Sequence, residues 1–130
     1  MHLIMDGSAK DPSVLQNEKL IYNLLDEYPA KIDMTKITTP YVIRYVGIKP
    51  EDWGVSGIVL IPESHISIHT FVERSHVNID VFSCKDFDAQ KAIRDFSEKL
   101  QLTDLKVNIL DRSIGELPQQ VGDKLTSVRS

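Results

Sequence analysis

Between Gly54 and Cys84 the chain reads GVSGIVLIPESHISIHTFVERSHVNIDVFSC, and through most of that stretch apolar residues recur at every second position. A period of two puts successive side chains on opposite faces of an extended strand, so this segment commits the chain to a sheet with one face turned to a core. From His65 to Phe71, Ile66, Ile68 and Thr70 share one face, while His65, Ser67, His69 and Phe71 share the other. Further on, Val77, Ile79, Val81 and Ser83 oppose Asn78, Asp80, Phe82 and Cys84. The short polar segment Glu73-Arg74-Ser75-His76 between the two runs predicts an antiparallel hairpin. A tight turn at Arg74-Ser75 would pair His69 with Asp80 and His65 with Cys84, bringing Ser64, His69 and Cys84 together. A slip of one residue would carry the set containing Cys84 to the face opposite His69.

The flanking segments supply the scaffold. His2-Leu3-Ile4-Met5 is a short strand candidate ended by Asp6-Gly7-Ser8, and Pro12-Ser13 opens a helix with Val14, Leu20, Ile21, Leu24, Leu25 and Tyr28 on one face, stopped by Pro29. Tyr41 to Ile48 is rich in β-branched and aromatic residues and reads as a strand broken by Pro50. Trp53 precedes a turn at Gly54-Val55-Ser56-Gly57, and Ile58 to Ile61 reads as a strand buried on both faces, interrupted by Pro62-Glu63-Ser64. Asp86 or Asp88 can cap a helix lined by Ala89, Ala92, Ile93, Phe96 and Leu100, and Leu105 to Leu110 is the last strand. Gly115 to Ser130 shows too little periodicity for any element. This order predicts an α+β fold, a two-layer sandwich with helices on one face of a mainly antiparallel sheet.

Composition narrows the function classes. The 130 residues suit a single domain, and 42% hydrophobic with 26% charged residues is ordinary for a soluble globular chain. A formal net charge of -4 offers no basic footprint for nucleic acid. No apolar run approaches a membrane span and no basic region leads into a long apolar stretch at the start, so the expected address is the cytoplasm. The one cysteine, Cys84, cannot form an internal disulfide; it is a buried small hydrophobe or a reactive thiol. His65 and His69 would lie about 13 Å apart along a strand, too far to share one metal ion.

GVSG, then ESH-x-x-IHT, then VNIDVFSC together resemble the prokaryotic S-adenosylmethionine decarboxylase proenzyme family, gap-free over roughly a quarter of the chain. The resemblance implies the same sandwich fold and self-cleavage between Glu63 and Ser64, giving a β chain of residues 1–63 and an α chain of residues 64–130 that begins with a covalent pyruvoyl group made from Ser64. It assigns His69 as the processing acid/base, Ser56 as a second processing residue, and Cys84 as the proton donor in a decarboxylation that runs through a Schiff base. It also implies a homodimer of cleaved protomers with sites at the interface, a place in polyamine synthesis, and S-adenosylmethionine as the small-molecule substrate. The chemistry is self-consistent: Ser64 Oγ attacks the Glu63 carbonyl, and loss of the Ser64 α-proton from the ester leaves a dehydroalanine that becomes pyruvoyl and ammonia. Pro62 restricts the backbone ahead of the scissile bond.

The resemblance is thinner around the substrate. Glu73 matches the family's ribose-binding glutamate, but Val72 stands where proline is usual, and Arg74-Ser75-His76 replaces glycine and aromatic residues. Where the family stacks adenine on an aromatic residue, this chain has Lys49-Pro50-Glu51-Asp52, with Trp53 the nearest ring, either a stacking surface or a core anchor. Acidic Glu51 and Asp52 would suit a guanidinium or ammonium, which keeps open a pyruvoyl-dependent arginine or ornithine decarboxylase on the same fold. An unprocessed, noncatalytic homologue acting as a binding or regulatory subunit is the third reading. His65 is expected to be positional, and His76 a solvated turn residue.

Overall fold

The computed structural model describes residues 1–112, so the stretch from Gly115 to Ser130 lies outside the described residues. Among these, six strands form one antiparallel sheet: His2–Ala9 (β1), Tyr41–Val46 (β2), Trp53–Ile61 (β3), Ser64–Phe71 (β4), His76–Phe82 (β5) and Leu102–Leu110 (β6). They lie in the order β2-β3-β4-β5-β1-β6. Two helices, Glu18–Lys31 (α1) and Ala89–Leu100 (α2), cover one face, giving the expected α+β two-layer sandwich.

Strand parity decides which side chains the helices cover. Leu3 and Met5 of β1, Val55 and Val59 of β3, Ile66 and Ile68 of β4, and Val77, Ile79 and Val81 of β5 are buried against Ile21, Leu25, Tyr28, Phe96 and Leu100. The alternate positions stay on an uncovered face, where Tyr41, Ile43, Ile58, Leu60 and Leu110 are exposed although apolar.

One polar side chain sits inside this core. Thr70 is fully buried; its Oγ1 accepts from the Val55 amide at 2.8 Å and donates to the Leu15 carbonyl at 2.7 Å. A buried hydroxyl is tolerated only when satisfied, and here it ties β4 to β3 and to the 3₁₀ turn Pro12–Gln16. Beside it, a Cβ on Gly54 would lie 1.9 Å from the Thr70 carbonyl oxygen, so only glycine permits this approach of β3 to β4.

Several local expectations are corrected. The first helix does not start at Pro12: a 3₁₀ turn comes first, and Asn17 caps α1 by accepting from the Leu20 amide at 3.0 Å. Pro29 does not stop α1, because in the last turn it forfeits a single hydrogen bond, and its carbonyl accepts from the Ile32 and Met34 amides at 3.2 and 2.8 Å. Gly54 to Gly57 is strand rather than turn, since β3 starts at Trp53, and Ile58 and Leu60 face outward instead of being buried. β1 runs on to Ala9 and β6 begins at Leu102, each carried past its polar residues by pairing with the other. Asp88, not Asp86, caps α2.

The hairpin register is also corrected. The turn contains a 3₁₀ segment, Val72–Arg74, closed by Ser75 in the left-handed region at φ 50°. β4 therefore stops two residues earlier than a tight turn at Arg74-Ser75 requires, with Phe71 rather than Glu73 opposite His76, and His69 pairs with Asn78, His65 with Phe82 and Ser67 with Asp80. His76 is accordingly the first residue of β5, half-buried, rather than a solvated turn residue. A shift of two leaves every face unchanged.

Replacing Thr70 with valine keeps volume but strands the Val55 amide and the Leu15 carbonyl. Denaturant unfolding should show a loss of about 1–3 kcal/mol, with Thr70→Ser recovering most of it.

Candidate active site

The sequence-predicted residues fall into two groups rather than one. The first is at the β3–β4 turn. Ile61 pairs with Ser64, leaving Pro62 and Glu63 as a two-residue connection, and Glu63 is left-handed at φ 57°. A proline followed by a left-handed residue suits a type II turn, whose second central position normally takes glycine or asparagine. Glutamate there costs about 1–2 kcal/mol, placed on the residue whose carbonyl forms the Glu63–Ser64 peptide bond.

Cys84 holds both sides of that bond. Its backbone amide donates to Ser64 Oγ at 3.3 Å, and its Sγ donates to the Glu63 carbonyl oxygen at 3.0 Å. One half-buried residue thus positions the hydroxyl and polarises the carbonyl. A donor aimed at a carbonyl oxygen is in place to stabilise an oxyanion there, and a thiol is a weak but usable donor.

The second group sits further along β4. Ser56 Oγ and His69 Nδ1 are 2.9 Å apart, set opposite one another by the β3–β4 register that Thr70 locks. The side chains point from the uncovered face, and His69 is exposed. The expected convergence of Ser64, His69 and Cys84 does not occur within one chain. Five residues of extended strand separate Ser64 from His69, about 16 Å, and the two positions have opposite parity, Ser64 sharing that of buried Ile66.

Trp53 and Glu73 meet each other: the indole Nε1 donates to Glu73 Oε2 at 3.0 Å. The Arg44 guanidinium covers the Trp53 ring, 4.5 Å from its centre, so one stacking face is occupied. A parallel rung joins Asp52 to Arg74, 2.6 Å apart, strapping the loop before β3 to the β4–β5 turn. Neither rung was legible beforehand, because each joins loops whose approach depends on the sheet. His65 packs its ring on Phe82, 5.6 Å between centres. On the other side of Phe82 lie His2, hydrogen-bonded to Asp80 at 3.1 Å, and Arg112, 4.4 Å above the ring. Among the described residues, no three His, Cys, Asp or Glu side chains gather as metal ligands, and no helix is long and apolar enough to cross a membrane.

The model of the S-adenosylmethionine decarboxylase family matches residues 1–113. The chain belongs to that family. It is 34% identical over 112 residues to the S-adenosylmethionine decarboxylase proenzyme of Archaeoglobus fulgidus, covering 85% of this chain and 95% of that one. The Pyrococcus furiosus S-adenosylmethionine decarboxylase proenzyme is 30% identical over 116 residues, 88% of this chain and 79% of its own. Among solved structures, the adenosylmethionine decarboxylase of Aquifex aeolicus VF5 superposes with a TM-score of 0.71 at 25% identity, over 87% of this chain and 89% of that chain. In this member of the family Ser64 and His69 lie on β4, and Cys84 just past the end of β5.

Partial burial holds the His65 imidazole below its ordinary 6.5, helped by His2 and Arg112 and opposed by Asp80. The unfolded chain therefore binds more protons than the native one below pH 6.5, and stability should fall as pH drops from there through the native value. Unfolding midpoints across this window should show that slope, and His65→Gln should flatten it.

Proposed function

We propose that this protein is a pyruvoyl-dependent S-adenosylmethionine decarboxylase that makes its prosthetic group by cutting itself between Glu63 and Ser64, into residues 1–63 and 64–130. The observation that carries this reading is the hold of Cys84 on both partners of the cleavage, the Ser64 hydroxyl and the Glu63 carbonyl, across a left-handed turn.

Attack of Ser64 Oγ on the Glu63 carbonyl carbon pushes charge onto the oxygen that Cys84 Sγ already faces. The carbon–nitrogen bond breaks, the Ser64 nitrogen takes up the proton and an ester replaces the amide, relieving the strained Glu63 conformation. Removal of the Ser64 α-proton expels the Glu63 carboxylate and leaves dehydroalanine, which takes up water and releases ammonia to become pyruvoyl. The group so formed heads β4, whose following residues stay paired with β3. The pyruvoyl supplies a carbonyl that captures the substrate's amine and accepts the electron pair released with carbon dioxide. Cys84 Sγ, beside position 64, is placed to return a proton to the substrate carbon, so its thiol serves first in processing and then in turnover.

The α-proton needs a base, and His69 cannot reach it in its own chain. A second copy supplies it. A two-fold axis through the uncovered face would bring Ser56 and His69 of one protomer to Ser64 and Cys84 of the other, twice over. That face is apolar around the half-site, with Tyr41, Ile43 and Ile58 beside Ser56 and His69. The homodimer is therefore part of the mechanism.

The denatured mass spectrum of the purified protein should show two fragments split between Glu63 and Ser64, the second beginning with a carbonyl reactive towards borohydride. Ser64→Ala should stay intact, and Cys84→Ala should process about tenfold to a hundredfold more slowly, as well as failing in turnover. A single intact species in the unmutated protein would return the chain to the noncatalytic reading.

Co-expression tests the shared site. Ser64→Ala and His69→Ala chains should each fail to process alone, but together the His69→Ala chain should be cut, up to half of it. No cleavage in the mixture would place the whole site within one chain.

A further inference from the structure

Three of the four histidines commit a ring nitrogen to a neighbour: His2 to Asp80 and Arg112, His69 to Ser56, His76 to Asn78. His65 alone has no hydrogen-bond partner for either nitrogen among the described residues. It is half-buried nonetheless, it points to the uncovered face, and it follows Ser64 directly.

A row of side chains across five strands sets its ring. Leu60 of β3, His65 of β4, Phe82 of β5, His2 of β1 and Leu110 of β6 lie in register, each opposite the next. His65 packs on Phe82 with ring centres 5.6 Å apart, His2 meets Phe82 edge-on at 5.8 Å, and the Arg112 guanidinium covers that ring at 4.4 Å. His2 is itself fixed. Arg112 Nη1 can only donate, so His2 Nδ1, 3.3 Å away, holds a lone pair, and Nε2 carries the hydrogen given to Asp80 Oδ1 at 3.1 Å. Asp80, His2 and Arg112 thus brace Phe82, and Phe82 braces His65.

An imidazole with unengaged nitrogens can accept a proton only while it is neutral. Partial burial disfavours its charged form first, then His2 and Arg112, with Asp80 opposing. Leu60, its neighbour on β3, carries no charge, and Cys84 stands two residues beyond Phe82. Consecutive Cα atoms lie about 3.8 Å apart, so a group brought to position 64 from the uncovered side is within reach of this ring, directly or through one water. An amino-acid substrate arrives there with its α-amine protonated, and an ammonium has no lone pair to share.

We infer that His65 is a catalytic residue of this site: its ring nitrogen takes the proton from the substrate's α-ammonium, breaking one N–H bond and forming another on the imidazole. The nitrogen lone pair is thereby freed, and the imidazolium passes the proton to water, which resets the ring. Phe82, His2 and Arg112 are positioning residues for it. The inference rests on the decarboxylase reading above, and it gives His65 a task separate from the cutting that Ser56 and His69 serve.

The first measurement needs no prosthetic group. In the uncut Ser64→Ala protein, nitrogen NMR of the histidine rings should show His65, identified as the signal that His65→Gln removes, titrating below 6.5. A ring that titrates above that value, and so is charged at neutral pH, would overturn the inference. In the cut protein, covalent capture of S-adenosylmethionine by the α chain can be fixed with cyanoborohydride and read from the fragment's mass. At neutral pH, His65→Gln should slow that capture roughly tenfold or more, while capture of methoxyamine, which arrives unprotonated, stays unchanged. Capture of S-adenosylmethionine by the unmutated protein should also fall as pH drops through the native His65 value, an inflection missing from His65→Gln. Both nucleophiles slowed alike, or neither, would overturn the inference, as would a His65→Gln chain that no longer cuts itself. An unmutated chain that captures no methoxyamine would instead remove the decarboxylase reading, and this inference with it.

Discussion

The buried hydroxyl of Thr70 is the contact on which the rest of the molecule depends. It binds the Val55 amide and the Leu15 carbonyl, fastening β4 to β3 and to the turn that precedes α1. Its neighbours in sequence are the functional ones, His69 on β4 and Ser56 beyond Val55 on β3, so the bond that stabilises the core also fixes the 2.9 Å contact between them. Its own carbonyl receives the Tyr45 hydroxyl and needs Gly54 to clear it. Core and half-site thus share one residue, and a polar group in a core is kept here because all its bonding is satisfied.

Away from that clamp, the turn between β3 and β4 carries backbone strain at Glu63. Glu63 occupies a conformation that glycine would favour, in the two-residue connection closed by the Ile61–Ser64 pair. Cys84 reaches the Glu63–Ser64 peptide from beyond β5, and its two contacts hold the Ser64 hydroxyl and the Glu63 carbonyl. In the self-cleavage we propose, such alignment would lower the entropy cost of the first step, and the strain would raise its starting point. His69 lies five residues further along β4 and on the opposite parity, so within one chain it stays apart from this junction.

Much of this was legible in the residues themselves. The period-two pattern assigned Ile66, Ile68 and Thr70 to one face and His69 to the other, and the motifs around Ser56, Ser64 and Cys84 pointed to the family that the comparisons show. Thr70, alone among aliphatic neighbours at a core-facing position, was a signal of a buried hydroxyl with partners to find. What failed were statements about pairs: His69 with Asp80, and Ser64 with His69. Pro29 and the Gly54–Gly57 stretch also misled, because helix packing and sheet pairing outweighed their local preferences.

The sequence by itself determined which face each residue of β4 and β5 occupies, because side-chain alternation follows from backbone sterics that act between adjacent residues. It also determined the chemical inventory of the site. Only the tertiary structure decided which members of that inventory meet: the Val72–Arg74 segment moved the β4–β5 register by two, extended β4 kept His69 from Ser64, and loop approach closed Asp52 onto Arg74. These outcomes depend on turn geometry summed over distant segments, and no local pattern encodes that sum.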